Sequence, residues 1–444
     1  MTAPPDVDVL TELLGTHLSP AARCTAISRA PSGNSQETWF VDVDGIDEPR
    51  TLVLRRSAAG GTLEWSDRGV EVGVLRAVHA AGLPVPLVRW WEPDGGTLER
   101  AYLVMDRSDG SNPDLRNATV RTTLASGLGR LIAELHQRVA PSDALDDVPP
   151  TVDATRAQLD FWTDRARAST VAPAIVPALC GWLAANLPDD GNDAVLLWGD
   201  PGPHNVLTDA RGEITALLDW ELAHSGHPLF DLGAARWSCL GHLDRDRLTS
   251  SYEAQIGSSV DRRALAWFEV LACVSRSIML FDGVEAVLLG RSNDPNLLGL
   301  GLAMVSANLI RSAELAWSIT PTRRPTPAEA TRPSAMRPSS SERSAAIARY
   351  LNHEVLSGVD DPRVRRGVKI AAALLAMDGD SLDETIRADW DVFEVERTEA
   401  LDAPLRQRLL DDIVHDRRRQ DSLLALYGDT VAVRSDVPSS SSTS

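Results

Sequence analysis

The first hundred residues alternate hydrophobic and polar positions in short runs. Segments 38–44 (TWFVDVD) and 51–56 (TLVLRR) alternate with the period of a strand, and the intervening GIDEP suits a hairpin turn. Apolar residues then follow helical spacing over 66–80, and 101–105 (AYLVM) is another short strand-like run. The pattern predicts a strand-rich N-terminal lobe over residues 1–107.

Helical patterns dominate the second region, residues 108–320. The exception is 195–218, where VLLW, NVLT and ITALLD are strand-like runs, the last two separated by the turn DARG at 209–212. Strands followed by a larger helical region predict an α+β fold class.

A change of composition marks the C-terminal part of the chain. Residues 321–341 are rich in proline and serine, which predicts a linker. Helical patterns resume over 342–432 and predict an accessory helical domain. The serine-rich end, 433–444, is predicted to be a disordered tail, and the sequence contains no visible internal repeat.

Charge and composition exclude several classes of protein. The chain has 444 residues and a net charge of −19, which disfavours binding to the phosphate backbone of DNA or RNA. It begins without the charged start and apolar run of a signal peptide, and no run of about 18 uncharged apolar residues predicts a membrane span. We expect a cytoplasmic protein with neither a membrane nor a nucleic-acid partner.

The cysteines are scattered, without CxxC pairs or histidines at ligand spacing. Buried free thiols are therefore expected at all four positions, Cys24, Cys180, Cys239 and Cys273.

Two carboxylates and an amide surround the strand-like runs of the second region. Asp200 follows the first run, Asn205 immediately precedes the second, and Asp219 ends the third. A tight hairpin would bring Asn205 and Asp219 to one end of its ladder. Phosphoryl transfer needs oxygen ligands for Mg²⁺ and a carboxylate that deprotonates the attacking hydroxyl. We predict Asp200 as the base and the other two as metal ligands, although Asp200 and Asn205 could also be ordinary turn residues.

The order and spacing of this segment resemble the motif of aminoglycoside phosphotransferases and related kinases. The matching elements are Trp198-Gly199-Asp200, Asn205, Leu218-Asp219-Trp220-Glu221, Gly226-x-Pro228 and Asp231-Leu232. The chain departs from the pattern at Trp198, where many members have histidine. The resemblance covers about residues 20–315. It implies a bilobal protein-kinase-like fold, ATP and Mg²⁺ as cofactors, and a loop-bracing role for Asp231.

The resemblance also implies a phosphate clamp in the N-terminal lobe. Kinase-like folds hold the nucleotide phosphates with a strand lysine, but the only lysine of this chain is Lys369. Arg55 stands at the strand position and can grip phosphate in bidentate fashion. Glu71, on the following helix, is its expected partner, although both side chains could instead be solvated. Arg56 points to the opposite face by strand alternation and fits a surface arginine better.

The other residues predicted to contact the nucleotide are Ser32, Gly33, Asn34, Ser35, Met105 and Arg107. The first four stand before a strand, where a phosphate-covering loop belongs, although a single glycine also fits a simple turn. The last two belong to segment 102–107, the expected hinge that meets adenine through backbone groups. Glu134 and His136, in the helix after the hinge, are expected to be structural.

Within this family, the closest likeness is to kinases associated with acyl-CoA dehydrogenases. The VLRR strand, the WGD variant and the DWE segment carry it. The likeness implies a small-molecule hydroxyl acceptor, a hydroxyacyl-CoA or hydroxy acid, and a functional link to an acyl-CoA dehydrogenase. Segment 350–375 more weakly resembles a helical domain found beside such kinases.

Two other functions stay open at this point. An aminoglycoside-type antibiotic kinase suits an acidic chain because its substrates are polycationic. A catalytically inactive kinase-like binding module is the third reading, and the intact Asp200, Asn205 and Asp219 argue against it. Arginine clusters within 363–366 and 417–419 could meet CoA phosphates or could be solvated helix faces.

Overall fold

The structure is a computed structural model that describes residues 4–30, 36–47, 51–57, 67–146, 151–169, 172, 175–188, 193–239, 242–292, 297, 308–309, 312–313, 315–316 and 318. The predicted phosphate-covering loop and the linker, accessory domain and tail predicted beyond residue 320 lie outside the described residues. The described residues form two compact units. The first comprises the described parts of Met1–Phe161 and Asn186–Cys273, and the second those of Trp162–Ala185 and Val274–Ser444.

A five-stranded antiparallel sheet forms the N-terminal part of the first unit. Its strands are β1 (Arg23–Arg29), β2 (Gln36–Asp44), β3 (Thr51–Ser57), β4 (Val88–Glu92) and β5 (Tyr102–Asp106), in the order β1-β2-β3-β5-β4. The strands predicted over 38–44, 51–56 and 101–105 are therefore confirmed as β2, β3 and β5. The predicted helix over 66–80 is α2 (Arg68–Ala80).

One face of this sheet is covered by the N-terminal helix α1 (Val7–His17). The Asp6 side chain caps the helix by accepting the backbone N–H of Asp8 at 2.7 Å. Leu10 and Leu14 of the helix pack with alternate residues of the strands, and the buried cluster includes Trp39, Val41, Leu52, Leu54, Trp90 and Val104. Alternation therefore places Val53 and Arg55 of β3 on the other face of the sheet.

Arg56 lies on the covered face, so the expectation that it is a surface arginine is wrong. It is 7% exposed, and its guanidinium donates to Glu37, the residue directly opposite on β2, at 2.6 and 2.9 Å. Arg100 donates to the same carboxylate at 3.1 Å. Strand alternation identified the face of Arg56 correctly, but it did not show that α1 covers that face.

The remaining described elements are mostly helical. They are α3 (Ala118–Arg138), α4 (Thr151–Ala168), α5 (Ile175–Ala185), β6 (Val195–Leu197), β7 (Val206–Thr208), β8 (Ile214–Leu217), β9 (His224–Gly226), α6 (Leu229–Ser238), α7 (Arg245–Ile256) and α8 (Arg262–Leu288). Helices α3 and α7 pack closely at Gly129, where an added Cβ would lie 2.1 Å from the Leu248 carbonyl oxygen. The three strand-like runs of 195–218 form β6, β7 and β8.

Two short antiparallel pairs, β6 with β9 and β7 with β8, hold the predicted catalytic segment. The turn between β7 and β8 closes where the Gly212 N–H donates to the Asp209 carbonyl at 3.1 Å. Val206 pairs with Leu217, so the residues on either side of this pair, Asn205 and Leu218, meet at one end of the ladder. The predicted hairpin is confirmed.

All four cysteines are buried and free, as predicted. Burial raises the pKa of the Cys180 thiol to about 11 and that of Cys239 to about 12. Both thiols are therefore protonated and unreactive at neutral pH.

Helix α8 contains a segment, Arg262–Val287, that is long and apolar enough to cross a membrane. In the structure, 78% of its 18-residue apolar stretch is buried. Core helices of globular proteins have the same length and composition. It is the one such helix among the residues that the structure describes.

Candidate active site

Asp200 lies in the loop between β6 and β7, where two neighbours hold its carboxylate. The Asn205 side-chain amide donates to the Asp200 backbone carbonyl and to Oδ2, both at 3.0 Å. His204 Nε2 also lies 3.2 Å from Oδ2. Asp200 keeps 21% of its side chain exposed, whereas Asn205 is 7% exposed as a residue. The loop thus presents a fixed, partly accessible carboxylate.

Asp231, at the start of α6, braces this loop. Its fully buried carboxylate accepts the backbone N–H of Trp198 at 2.7 Å and that of Gly199 at 2.9 Å. His136 Nε2 lies 3.3 Å from the same carboxylate, and His136 Nδ1 lies 3.0 Å from the Tyr252 hydroxyl. These contacts agree with the structural roles predicted for Asp231 and His136.

Gly199 is required by the close approach of the loop after β8. Its φ is +88°, and an added Cβ would lie 2.1 Å from the Leu222 carbonyl oxygen. The glycine of the Trp-Gly-Asp motif therefore brings the Asp200 loop and the Asp219 segment together.

Trp198, the departure from the family's histidine, has a contact of its own. Its indole N–H donates to the Leu218 carbonyl at 2.9 Å, and its ring stacks on Trp220 with centroids 5.4 Å apart. Trp198 thus holds both residues that flank Asp219. The sequence did not predict this contact, because it depends on how the Trp198 segment packs against β8.

Asp219 follows β8 and adopts a left-handed backbone conformation, with φ of +62°. Such a conformation is strained for a residue with a Cβ and is found often at functional sites. The Leu218 N–H donates to the Asn205 carbonyl at 2.8 Å, which fixes the two segments side by side. Asp219 and Asn205 therefore lie at the same end of the β7–β8 ladder.

Arg55 connects β3 to this ladder end. Its guanidinium donates to Glu71 Oε1 at 2.5 Å and to Asp219 Oδ1 at 3.0 Å, and lies 3.8 Å from Glu221 Oε2. Desolvation acts to lower the pKa of Arg55, but the carboxylates of Glu71, Asp219 and Glu221 raise it above its ordinary value. The predicted pairing of Arg55 with Glu71 is present.

A second arginine completes a buried network that the sequence did not predict. Arg68 donates from Nη1 to Glu221 Oε2 at 2.9 Å and to Glu71 Oε2 at 3.2 Å. Gln36 Nε2 donates to the same two oxygens, at 3.0 and 3.2 Å. The one available signal was the spacing of Arg68 three residues before Glu71 on a helix.

Carboxylate side chains outnumber arginines in this site, so the site suits a bound metal cation. Desolvation raises the pKa of the Asp219 carboxyl, Glu221 raises it further, and Arg55 opposes them, leaving that pKa well above its usual range. Glu221 differs, because Arg55 and Arg68 overcome its desolvation and lower its pKa. The two arginines therefore keep Glu221 ionised. Arg55 alone does not offset the desolvation of Asp219 and its repulsion by Glu221.

The oxygens of Asn205 and Asp219 fit Mg²⁺, which prefers oxygen ligands. The Asn205 amide nitrogen is engaged by Asp200, so its amide oxygen is the atom available to a cation. Within the described ranges, no group of three or more His, Cys, Asp or Glu side chains could hold a metal ion. Mg²⁺ commonly binds one or two protein groups and completes its shell with water and substrate phosphate.

The predicted hinge needs a correction. Tyr102–Asp106 is strand β5 of the sheet, and Met105 is buried in register between Val53 of β3 and Val88 of β4. The exposed chain begins only at Arg107, whose guanidinium lies 4.6 Å from the centre of the Phe40 ring. The hydrophobic run 102–105 belongs inside the sheet, because all four of its side chains are buried. Nucleotide contacts by Met105 and Arg107 stay predictions.

The chain matches the model of the family described as "Phosphotransferase enzyme family" over residues 26–268. Among curated proteins, it is similar to acyl-CoA dehydrogenase family member 11 of Rattus norvegicus, with 29% identity over 242 residues. That match covers 51% of this chain and 30% of the rat protein. The corresponding protein of Gallus gallus is 31% identical over 226 residues, which are 48% of this chain and 28% of the chicken protein. The chain thus spans less than a third of these relatives' length.

Solved structures of small-molecule kinases share the fold. A Ralstonia eutropha protein assigned as an aminoglycoside phosphotransferase is 20% identical, with a TM-score of 0.58 over 70% of this chain and 98% of that one. Choline kinase of Streptococcus pneumoniae is 14% identical, with a TM-score of 0.52 over 70% of this chain and 98% of that one. The predicted α+β kinase-like fold is confirmed, and by its family match the chain belongs to the phosphotransferase enzyme family.

Proposed function

We propose that this small-molecule kinase uses Mg²⁺ and ATP to phosphorylate a hydroxyl group of a hydroxyacyl-CoA. The observation that carries the catalytic part is the convergence of Asp200, Asn205, Asp219 and the Arg55–Glu71 pair at one end of the β7–β8 ladder. The side-chain types at this point are those that phosphoryl transfer requires.

Asp200 is the group that accepts a proton in this proposal. Its carboxylate is fixed by Asn205 and His204 and is partly exposed, so an acceptor hydroxyl can approach it. As the hydroxyl oxygen bonds to the γ-phosphorus, its proton moves to Asp200 and ADP departs. Positioning one general base typically contributes about 10²–10⁴-fold to the rate.

Arg55 would bind nucleotide phosphate oxygens in this proposal, with its guanidinium oriented by Glu71. Asn205 and Asp219 are the residues that would hold Mg²⁺, which supplies charge neutralisation on the transferred phosphate. Nucleotide binding is supported by a structural neighbour: a spectinomycin phosphotransferase, 13% identical with a TM-score of 0.51, was solved with ADP and spectinomycin.

The acyl-CoA part of the proposal is supported by the curated relatives, which are acyl-CoA dehydrogenase family members. Less than a third of the length of those proteins matches this chain. A CoA thioester also offers remote phosphates and a long arm, whose binding energy can place the hydroxyl at the reacting centre. We therefore expect free hydroxy acids to be poorer acceptors than their thioesters.

An ADP-release assay with matched acceptors tests the substrate class. The panel contains 3- and 4-hydroxyacyl-CoA compounds, the corresponding free acids, the non-hydroxylated acyl-CoA and kanamycin-type aminoglycosides. Acceptor-dependent ADP release with the hydroxyacyl-CoAs, and none with the non-hydroxylated thioester, supports the proposal. Turnover with aminoglycosides alone would show that the protein is an antibiotic kinase. No turnover with any acceptor would favour an inactive binding module.

A further inference from the structure

Arg68 and Glu221 join three separate segments of the active site. Arg68 begins α2, Glu221 belongs to the loop after β8, and both contact the network that contains Gln36 at the start of β2. These side chains are almost inaccessible: 12% of the Arg68 side chain and 6% of the Glu221 side chain are exposed. A buried charged pair of this kind is strongly coupled to its surroundings.

The contacts are arranged as a closed square of two donors and two acceptors. Arg68 Nη1 and Gln36 Nε2 each donate to Glu221 Oε2 and to Glu71 Oε2, at distances of 2.9–3.2 Å. Two carboxylates that share the same donors repel each other unless a cation lies between them. Arg68 supplies that cation and so holds Glu71 and Glu221 side by side.

This arrangement controls the charge around Arg55. Glu221 Oε2 lies 3.8 Å from Arg55 Nη2, close enough to attract its guanidinium away from other partners. Because Arg68 binds Glu221 more closely, Arg55 stays directed at Glu71 and Asp219. Without Arg68, one guanidinium would face the three carboxylates of Glu71, Asp219 and Glu221.

We propose that Arg68 and Glu221 form a positioning pair that holds Glu71 on α2 against the Asp219 segment and keeps Arg55 available to nucleotide phosphate. The inference rests on the proposed function, since it assumes that Arg55 binds the phosphates of ATP. It assigns to Arg68 and Glu221 a role in nucleotide affinity, with no contact to the acceptor.

Calorimetric titration of Mg·ATP into the full chain, with unfolding midpoints measured beside it, tests this pair. Arg68→Gln should weaken binding about tenfold, the size typical of coupling between contacting charges. Arg68→Lys, which retains the charge, should recover part of the loss. Adding Glu221→Gln to Arg68→Gln should also recover affinity, because it removes the carboxylate that would otherwise draw Arg55 away from Glu71 and Asp219. Arg76→Gln, an exposed arginine on the same helix, is the matched control and should bind as the wild type does.

The outcomes separate this inference from the proposed function. Wild-type affinity in Arg68→Gln, or a lower unfolding midpoint with unchanged affinity, overturns the positioning role and leaves the proposed function standing. Absence of Mg·ATP binding by the wild type overturns both. If Arg68→Gln does not fold, Arg68→Lys is measured instead. Mg·ATP binding that is several-fold weaker than that of the wild type then supports the positioning role, and wild-type affinity contradicts it. With an active acceptor, the KM for ATP should rise while the KM for the acceptor stays constant.

Discussion

The carboxylate of Asp231 accepts the backbone N–H groups of Trp198 and Gly199, the two residues immediately before Asp200, at 2.7 and 2.9 Å. The position of the predicted base therefore depends on a buried side chain 31 residues further along the chain. Because both oxygens of Asp231 are used as acceptors, an amide at this position cannot replace it.

Asp231→Asn should lower both stability and activity. The asparagine amide group presents a donor to one of the two backbone N–H groups, and each buried polar group left without a partner costs about 1–3 kcal/mol. Asp209→Asn is the control, because one oxygen of the exposed Asp209, Oδ1, accepts two backbone N–H groups and the asparagine amide retains that oxygen. Chemical unfolding of both variants checks this; equal losses in the two would contradict a special role for Asp231.

Neighbouring arginines of β3 should respond differently to truncation. Arg55→Ala removes the predicted phosphate clamp and should raise the KM for ATP. Arg56→Ala should leave that KM almost unchanged but lower the free energy of unfolding, since breaking a buried ion pair costs about 3–5 kcal/mol. Arg100, which also contacts Glu37, should offset part of that cost. ATP titrations and denaturant unfolding separate the two effects, and the reverse assignment would show that the faces of β3 have been interchanged.

The two arginines also show how far the sequence could predict the site. The resemblance to kinase-like folds identified Arg55 as the phosphate-binding cation and Glu71 as its partner, alternation along β3 separated Arg55 from Arg56, and the order of the motif residues located Asp200, Asn205 and Asp219. Local pattern could not show which layer covers each face of a sheet, so the burial of Arg56 was missed. The convergence of Gln36, Arg68 and Glu221 likewise depends on packing between segments distant in sequence.

Asp219 offers a test in which stability and function should move apart. Asp219→Gly removes a predicted Mg²⁺ ligand, so Mg·ATP binding should be strongly weakened. Glycine tolerates a φ of +62° without strain, and such strain costs of order 1–3 kcal/mol. Removing one of several crowded carboxylates should also stabilise the variant, because it reduces their mutual repulsion. The thermal midpoint should therefore hold or rise, and a less stable variant with intact Mg·ATP binding would contradict the assignment.

Limited proteolysis should cut the chain between about residues 321 and 341, where the sequence predicts an exposed proline- and serine-rich linker. This segment lies outside the described residues. A fragment that ends near residue 320 should then be recovered folded, with its far-ultraviolet circular dichroism intact. Resistance of the segment to several proteases would show that it is packed.

The most direct test of the account is the transfer of phosphate itself. The wild type and Asp200→Asn are incubated with Mg·ATP and a 3- or 4-hydroxyacyl-CoA, and the acyl-CoA is analysed by mass spectrometry. The account predicts a wild-type product heavier by one phosphoryl group. It also predicts formation of that product about 10²–10⁴-fold more slowly by Asp200→Asn, which should still bind Mg·ATP. Near-wild-type product formation by Asp200→Asn, or no phosphorylated acyl-CoA from the wild type, would contradict it.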